Sequence, residues 1–273
     1  NSVIKEDWFK ACINAHKVLG FEPKGAITSA CDPSDTGNDP CGFISRQGVI
    51  FFDVDEIEAE NGNRKADESC RRAIMNGSDS FGYDADGLGA TLRDNFDRGF
   101  AGKAVNIFAY KGSSEIHFPD AIFKSETAQL ANNRINLKNK DVLYNKKAQN
   151  IIGFAERVFR TWEAVVEGKY HDPDTLISFM TYDPETKRGI KPEMLEKLKA
   201  ESCKVPLKSA DTVKFYTKEE MRKGVTMPDG SRLQIPSPNL FDAAVLSFDN
   251  AGIINRINTN YVMPKPIRPM GRR

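Results

Sequence analysis

Lys24-Gly25-Ala26-Ile27-Thr28-Ser29-Ala30-Cys31-Asp32-Pro33-Ser34-Asp35-Thr36-Gly37-Asn38-Asp39-Pro40-Cys41-Gly42-Phe43-Ile44-Ser45-Arg46 is the stretch whose reading decides the fold. A run of small and apolar residues ends in an aspartate. A turn rich in Gly, Pro, Asp and Asn follows, and a second run begins at Cys41. The pattern predicts a strand, a turn and a returning strand, with the Asp32 carboxylate at the tip of the first strand. Asp35 and Asp39 share the turn. Clustered carboxylates at a strand end suit a hard cation such as Mg²⁺, which prefers oxygen ligands. The same residue types are also ordinary turn formers, so on this stretch alone both readings stand.

Working outward, residues 25–32, 41–47 and 48–54 read as three strands of an antiparallel meander, with Gln47-Gly48 as the second turn. Val49-Ile50-Phe51-Phe52 is a continuous apolar run, expected to be buried. Residues 64–76 have helical spacing. Ser80-Phe81-Gly82-Tyr83-Asp84 is a short strand ending in a second aspartate, followed by Ala85-Asp86-Gly87-Leu88-Gly89-Ala90 turning into a helix to about Phe96. Residues 104–109 form another strand. Three strands, helix, strand, helix, strand imply an α/β mixed sheet with helices on its faces. Upstream, residues 1–23 read as one helix through Trp8, Cys12, Ala15 and Leu19.

Downstream, residues 111–145 are polar and irregular. The helix over 145–169 is the strongest in the chain. Ala148, Ile151, Ile152, Ala155, Val158, Phe159, Trp162 and Val166 make its apolar face. Lys146, Lys147, Arg157 and Arg160 occupy the remainder, read either as a solvated face or as a DNA contact. A loop is expected over 170–190 and a helix over 191–200. A strand is expected at 213–216, a helical turn from Lys218 to Lys223, a hairpin tip or inserted turn over 227–232, and a last helix over 236–248. The tail 256–273 is basic and proline-rich, expected to be flexible.

Composition excludes several classes. The chain has 273 residues, 40% hydrophobic and 28% charged, with a net charge of +1. This is ordinary for a globular protein, and any basic surface must be local. Five cysteines without a CxxC pair argue against a disulfide framework or structural zinc. The three histidines lack zinc-ligand spacing. No apolar run approaches the ~20 residues of a membrane span. The chain begins at Asn1, as a piece of a longer protein would.

Three aspartates stand out by position. Asp32 and Asp84 end strands, and Asp242 lies in the first turn of the apolar helix Asn239-Leu240-Phe241-Asp242-Ala243-Ala244-Val245-Leu246. Burying a lone carboxylate is costly unless a cation or hydrogen bonds offset it. Open α/β sheets place their sites at the carboxyl ends of parallel strands. Two divalent cations roughly 3.5–4 Å apart on such a cluster would activate a water and stabilise the leaving oxygen of a phosphodiester. Taken singly, Asp32 is also a turn former, Asp84 a helix cap and Asp242 a first-turn residue favoured by the helix dipole. Gly87-Leu88-Gly89 lacks the third glycine of a dinucleotide fingerprint, and no GxxxxGK[ST] occurs. Phe51-Phe52-Asp53-Val54-Asp55-Glu56 has the strand-end DxD of haloacid-dehalogenase-like phosphatases, without their matching Lys and Asp motifs.

Together these residues resemble the nuclease domain of the large terminase subunit of tailed bacteriophages. The matching motifs are Ala30-Cys31-Asp32-Pro33 with Gly37-Asn38-Asp39, then Tyr83-Asp84-Ala85-Asp86-Gly87-Leu88-Gly89, then Ser237-Pro238-Asn239-Leu240-Phe241-Asp242-Ala243. Lys218-Glu219-Glu220-Met221-Arg222-Lys223-Gly224 is similar to the stretch that often precedes the third motif, and Asn145-Lys146-Lys147-Ala148-Gln149 and Trp8 fit as well. Ala30 departs from the usual Gly, Thr226–Gln234 resembles an insertion, and 111–145 is long.

The resemblance implies a ribonuclease H-like fold in three parts. These are a lead-in helix at 1–23 from an upstream ATPase domain, a nuclease domain at 24–255 and the tail. It implies metal-dependent cleavage of double-stranded DNA during genome packaging, with Asp32, Asp84 and Asp242 holding two Mg²⁺ or Mn²⁺ ions. Asp39 or Asp86 would add an outer ligand and Lys218 a phosphate contact. The small terminase subunit and the portal protein would be partners, in the cytoplasm of a bacterial host and without membrane contact. A non-catalytic DNA-holding or portal-docking module is the alternative from another class.

Overall fold

β1 (Ile27–Asp32), β2 (Cys41–Gln47), β3 (Ile50–Ile57), β4 (Ser80–Asp84), β5 (Asn106–Tyr110) and β6 (Ser178–Phe179) make a six-stranded sheet in the order β5-β4-β1-β2-β3-β6. The computed structural model describes residues 2–34, 39–127, 134, 136–209, 211–226 and 230–249. β1 runs antiparallel to β2, with Asp32 opposite Gly42, and parallel to β4, with Cys31 opposite Tyr83. β4 is parallel to β5 and β2 antiparallel to β3. The sheet is therefore an antiparallel meander continued by parallel strands, as the residue pattern predicts.

β1 is buried along both faces, polar residues included, because both faces are covered. Side chains alternate across a strand, and the two cores follow that alternation. Cys31 packs with Phe43, Phe81, Tyr83 and Phe96. The helices on this side are α3 (Gly62–Met75) and α4 (Arg93–Gly99). Ala30 packs on the other side with Ile44, Phe108, Phe241 and Leu246. There the cover comes from α1 (Glu6–Ala11), α6 (Lys146–Trp162), α7 (Pro192–Lys204) and α9 (Asn239–Leu246). Short helices α2 (Ala15–Leu19), α5 (Asn139–Val142) and α8 (Lys218–Lys223) fill the connections.

The length of α9 matches the strand beneath it. Eight residues rise about 12 Å, and the four steps from Gly42 to Arg46 in β2 span about 13 Å. At one end, a Cβ on Gly42 would lie 2.2 Å from the Asn239 carbonyl oxygen, so only glycine lets the helix start so close to the sheet. At the other, the Arg46 guanidinium donates to Ser247 Oγ at 3.1 Å and to the Ser247 carbonyl.

Several expected elements differ. The helix over 1–23 is two helices, because Asn14 takes a left-handed φ of 54°. Its amide donates to Thr181 Oγ1 at 2.9 Å and its N–H to the Phe179 carbonyl, so a tertiary anchor breaks the helical pattern. The same anchor belongs to β6, a two-residue strand inside the expected loop 170–190 that is too short to show periodicity. After Asp84 the chain makes a 3₁₀ turn (Gly87–Thr91) before α4. The long helix ends at Trp162 in a π turn over Glu163–Glu167. Trp8 and Phe9 of α1 are buried in the same core as α6, so α1 packs as part of this body.

Two small hairpin-like sheets pair β7 (Leu207–Ser209) with β8 (Lys214–Phe215) and β9 (Val225–Thr226) with β10 (Arg232–Leu233). Asp35, Gly37, Asn38, residues 227–229 of the turn expected over 227–232 and the tail 256–273 lie outside the described residues. Among the described residues no helix is long and apolar enough to cross a membrane.

Candidate active site

Asp32 and Asp84 end neighbouring parallel strands, and both lie an even number of residues from Ala30 and Gly82, on the face that α9 covers. Asp242, in the first turn of α9, reaches the same place, and its N–H donates to the Pro238 carbonyl at 2.8 Å. Asp32 is 2% exposed and Asp242 5%. Two ammonium groups stand among the three carboxylates. Lys218 Nζ pairs with Asp32, donates to Asn239 Oδ1 at 3.1 Å and lies 3.7 Å from Asp242 Oδ2. Lys147 Nζ donates to Asp242 Oδ2 at 2.9 Å.

Local caps put both lysines there. Thr217 and Glu220 form a capping box that starts α8 at Lys218. The Asn145 side chain accepts the Ala148 N–H at 2.9 Å and starts α6 one residue before Lys147.

The electrostatics are those of a crowded acid cluster. Burial, then the field of Asp32, pushes the Asp84 carboxyl up to about 7. Burial also raises Asp32, with Asp242 adding to it and Lys218 opposing. Burial works against the charge of Lys218, but Asp32 and Asp242 outweigh it and hold its ammonium above the ordinary lysine range. Tyr110, opposite Asp84 in β5, buries a hydroxyl that has no hydrogen-bond partner among the described residues. Carboxylate oxygens in a buried pocket, beside an unsatisfied hydroxyl, fit a hard divalent cation and its water better than any softer metal.

The other acids and bases expected at the site are spread more widely. Asp39 is paired with Arg222 and accepts from Asn239 Nδ2 at 2.9 Å. Asp86 accepts from Ser113 N–H at 2.9 Å and Ser113 Oγ at 2.8 Å, tying the 84–86 turn to the next loop. Lys146, Lys147, Arg157 and Arg160 do not share an outer face. Lys146 is 7% exposed, and its ammonium donates to the buried Asp249 at 2.7 Å. Arg157 donates to the Asp174 and Leu176 carbonyls and lies 4.5 Å from the Phe248 ring centroid. Arg160 is held by Glu126 at 2.8 Å. Their periodicity marks the side of α6 away from its apolar stripe, but neighbouring loops cover that side. Asp53 and Asp55, the DxD residues, are both paired with Arg72.

Asn239 and Glu201 were not expected at the site. Asn239 is 2% exposed and bonds Lys218, Asp39 and the Pro40 carbonyl. Its position inside the Ser-Pro-Asn helix start was the available signal. Glu201 accepts the Phe241 N–H at 2.9 Å from α7, a pairing between segments that no local pattern announces.

Glu126, Glu163 and His171 also bring ligand atoms within 4.8 Å of one another. Arg160 and Lys169 already balance these carboxylates. The group sits near the far end of α6 from Lys147, about 22 Å along a helix of this length, and is separate from the aspartate cluster.

No protein-family profile matches the chain, and no curated protein does. Solved structures do. The nuclease domain of the large terminase subunit gp2 of bacterial virus Sf6 is 36% identical with a TM-score of 0.76, covering 90% of this chain and 98% of that one. A single-residue variant of that gp2 domain with manganese is 35% identical with a TM-score of 0.75, and one with calcium is 36% identical with a TM-score of 0.76, both at the same coverages.

Proposed function

Since this chain belongs to the family of phage large terminase nuclease domains, we propose that it is a metal-dependent endonuclease that hydrolyses double-stranded DNA during genome packaging. One observation carries this reading: Asp32, Asp84 and Asp242 converge at one end of the sheet with Lys218 and Lys147 among them. Asp32, Asp84 and Asp242 would hold two Mg²⁺ or Mn²⁺ ions, the chemistry supplied being a water activated as nucleophile and a stabilised leaving oxygen. The chain's own groups do the rest. Lys218 and Lys147 hold the Asp32 and Asp242 carboxylates in place and lie where a scissile phosphate would meet positive charge. Asn239 joins Lys218 to the loop carrying Asp39. Lys146, Arg157 and Arg160 engage groups outside the three carboxylates, so DNA contact at the site is assigned to Lys147 and Lys218, whose ammonium groups stand among them. In the intact motor, the small terminase subunit and the portal would be partners, in the host cytoplasm.

Plasmid cleavage with added Mn²⁺ tests the reading. Wild type is expected to cleave and Asp32→Asn to be inactive while melting as a folded protein. No cleavage by wild type with Mn²⁺ would leave the alternative of a DNA-holding module, and cleavage by Asp32→Asn at the wild-type rate would remove Asp32 from the site.

A further inference from the structure

Asp242 serves the acid cluster only if α9 begins at the right place, and α9 does not cap itself. Pro238 stands at its N-cap and offers no side-chain acceptor, so the first-turn N–H groups need partners from elsewhere. The Phe241 N–H, one residue before Asp242, donates to Glu201 Oε2 at 2.9 Å. We propose that Glu201 is a positioning residue for this site: by accepting the Phe241 N–H across the contact between α7 and α9, it sets where the Asp242 carboxylate stands relative to Asp32 and Asp84.

A Ser or Asp at position 238 would satisfy a first-turn donor equally well, but it would tie the helix only to itself. An acceptor on α7 ties the helix start to the core. Two further contacts complete the placement. Asn239 Nδ2 donates to the Pro40 carbonyl at 2.9 Å, and Gly42 lets the Asn239 carbonyl rest on β2. A carboxyl is also a costly choice for a purely structural cap, since burial pushes Glu201 up to about 8. The proposal rests on the reading of Asp242 as a metal ligand.

Glu201→Leu removes the acceptor beside a cavity of about 350 Å³ lined by Met221, Ile235 and Pro236, which has room for the new side chain. Mn²⁺ affinity by calorimetry is expected to fall on the order of tenfold or more, as for other groups that orient a metal ligand. The kcat for plasmid cleavage should fall with it, while KM for DNA stays. Glu201→Gln keeps an acceptor oxygen and should restore both. A lowered melting temperature with wild-type Mn²⁺ affinity and kcat in Glu201→Leu overturns the proposal and leaves Glu201 a stabilising cap. If Glu201→Leu does not fold, Glu201→Asp carries the test, its carboxyl one methylene short. Weakened Mn²⁺ binding is expected there, and wild-type binding overturns the proposal. Asp242→Asn separates the two readings. Mn²⁺ binding retained in Asp242→Asn sinks both, whereas binding lost there but unchanged in Glu201→Leu sinks only the positioning role.

Discussion

A carboxyl whose burial raises its pKa makes stability depend on pH in a definite direction. Glu201 is raised to about 8, first by burial and then by the charge of Asp242, with Glu56 adding to it and Lys197 and the Phe241 N–H opposing. The folded chain therefore holds a proton that the unfolded chain, near 4.5, releases. Its contribution to stability is fully present below pH 4.5 and is lost as pH rises through about 8. Integrated over that window the loss is roughly 5 kcal/mol at most. Asp84, raised to about 7, slopes the same way. Melting temperature in EDTA is thus expected to fall between pH 5.5 and 8.5 in wild type, and to fall less in Glu201→Gln. Equal slopes in the two proteins would show that Glu201 does not titrate in this window.

The contact between α9 and β2 is where an element's placement becomes chemistry. Gly42→Ala would push a Cβ to 2.2 Å from the Asn239 carbonyl, backbone against backbone, with no flexible side chain to give way. Overpacking of this kind costs roughly 1–3 kcal/mol, and here the strain falls on the turn that carries Asp242. Cleavage in Gly42→Ala is expected to drop further than the loss of melting temperature explains, measured as kcat at a temperature where the variant stays folded. The start of α6 makes a second test. Lys146 and Asp249 are a buried pair, with side-chain exposures of 9% and 1%. Lys146→Met leaves that carboxylate with only a 3.4 Å contact to His117 among the described residues and should destabilise by about 3–5 kcal/mol. Arg160→Ala, at a partly exposed pair with Glu126, should cost no more than about 1 kcal/mol. Urea unfolding of the two variants ranks them, and equal losses would contradict the burial difference.

At the scale of the whole molecule, a cation that binds only the folded state adds stability that grows with the logarithm of its concentration. Mn²⁺ is expected to raise the melting temperature progressively, EDTA to reverse the rise and abolish cleavage, and Asp84→Asn to show a smaller rise. A melting temperature indifferent to Mn²⁺ would remove the metal from the site. With a net charge of only +1, DNA contact must come from local groups. Lys147→Gln is therefore expected to reduce the slope of log affinity against log salt by about one, as loss of one phosphate contact does.

Much of this was legible in the residues because its causes are local. The Ile27–Asp32 run, the turn after it and the returning run from Cys41 specify a meander through strand period and turn chemistry. Asp32, Asp84 and Asp242 announce themselves as carboxylates among apolar neighbours, where charge needs compensation. The order of strands and helices then limits the sheet to few topologies. What only the tertiary structure decided are the relations between distant segments. Asn14 breaks a helix because Thr181 and the Phe179 carbonyl wait beside it. Lys146 points inward and Lys147 into the site because Asp249 and Asp242 lie on either side of the α6 start. Glu201 meets Phe241 forty residues on. Helical periodicity states which residues share a side of a helix, but not what covers that side, and a side chain's charge state follows from its cover.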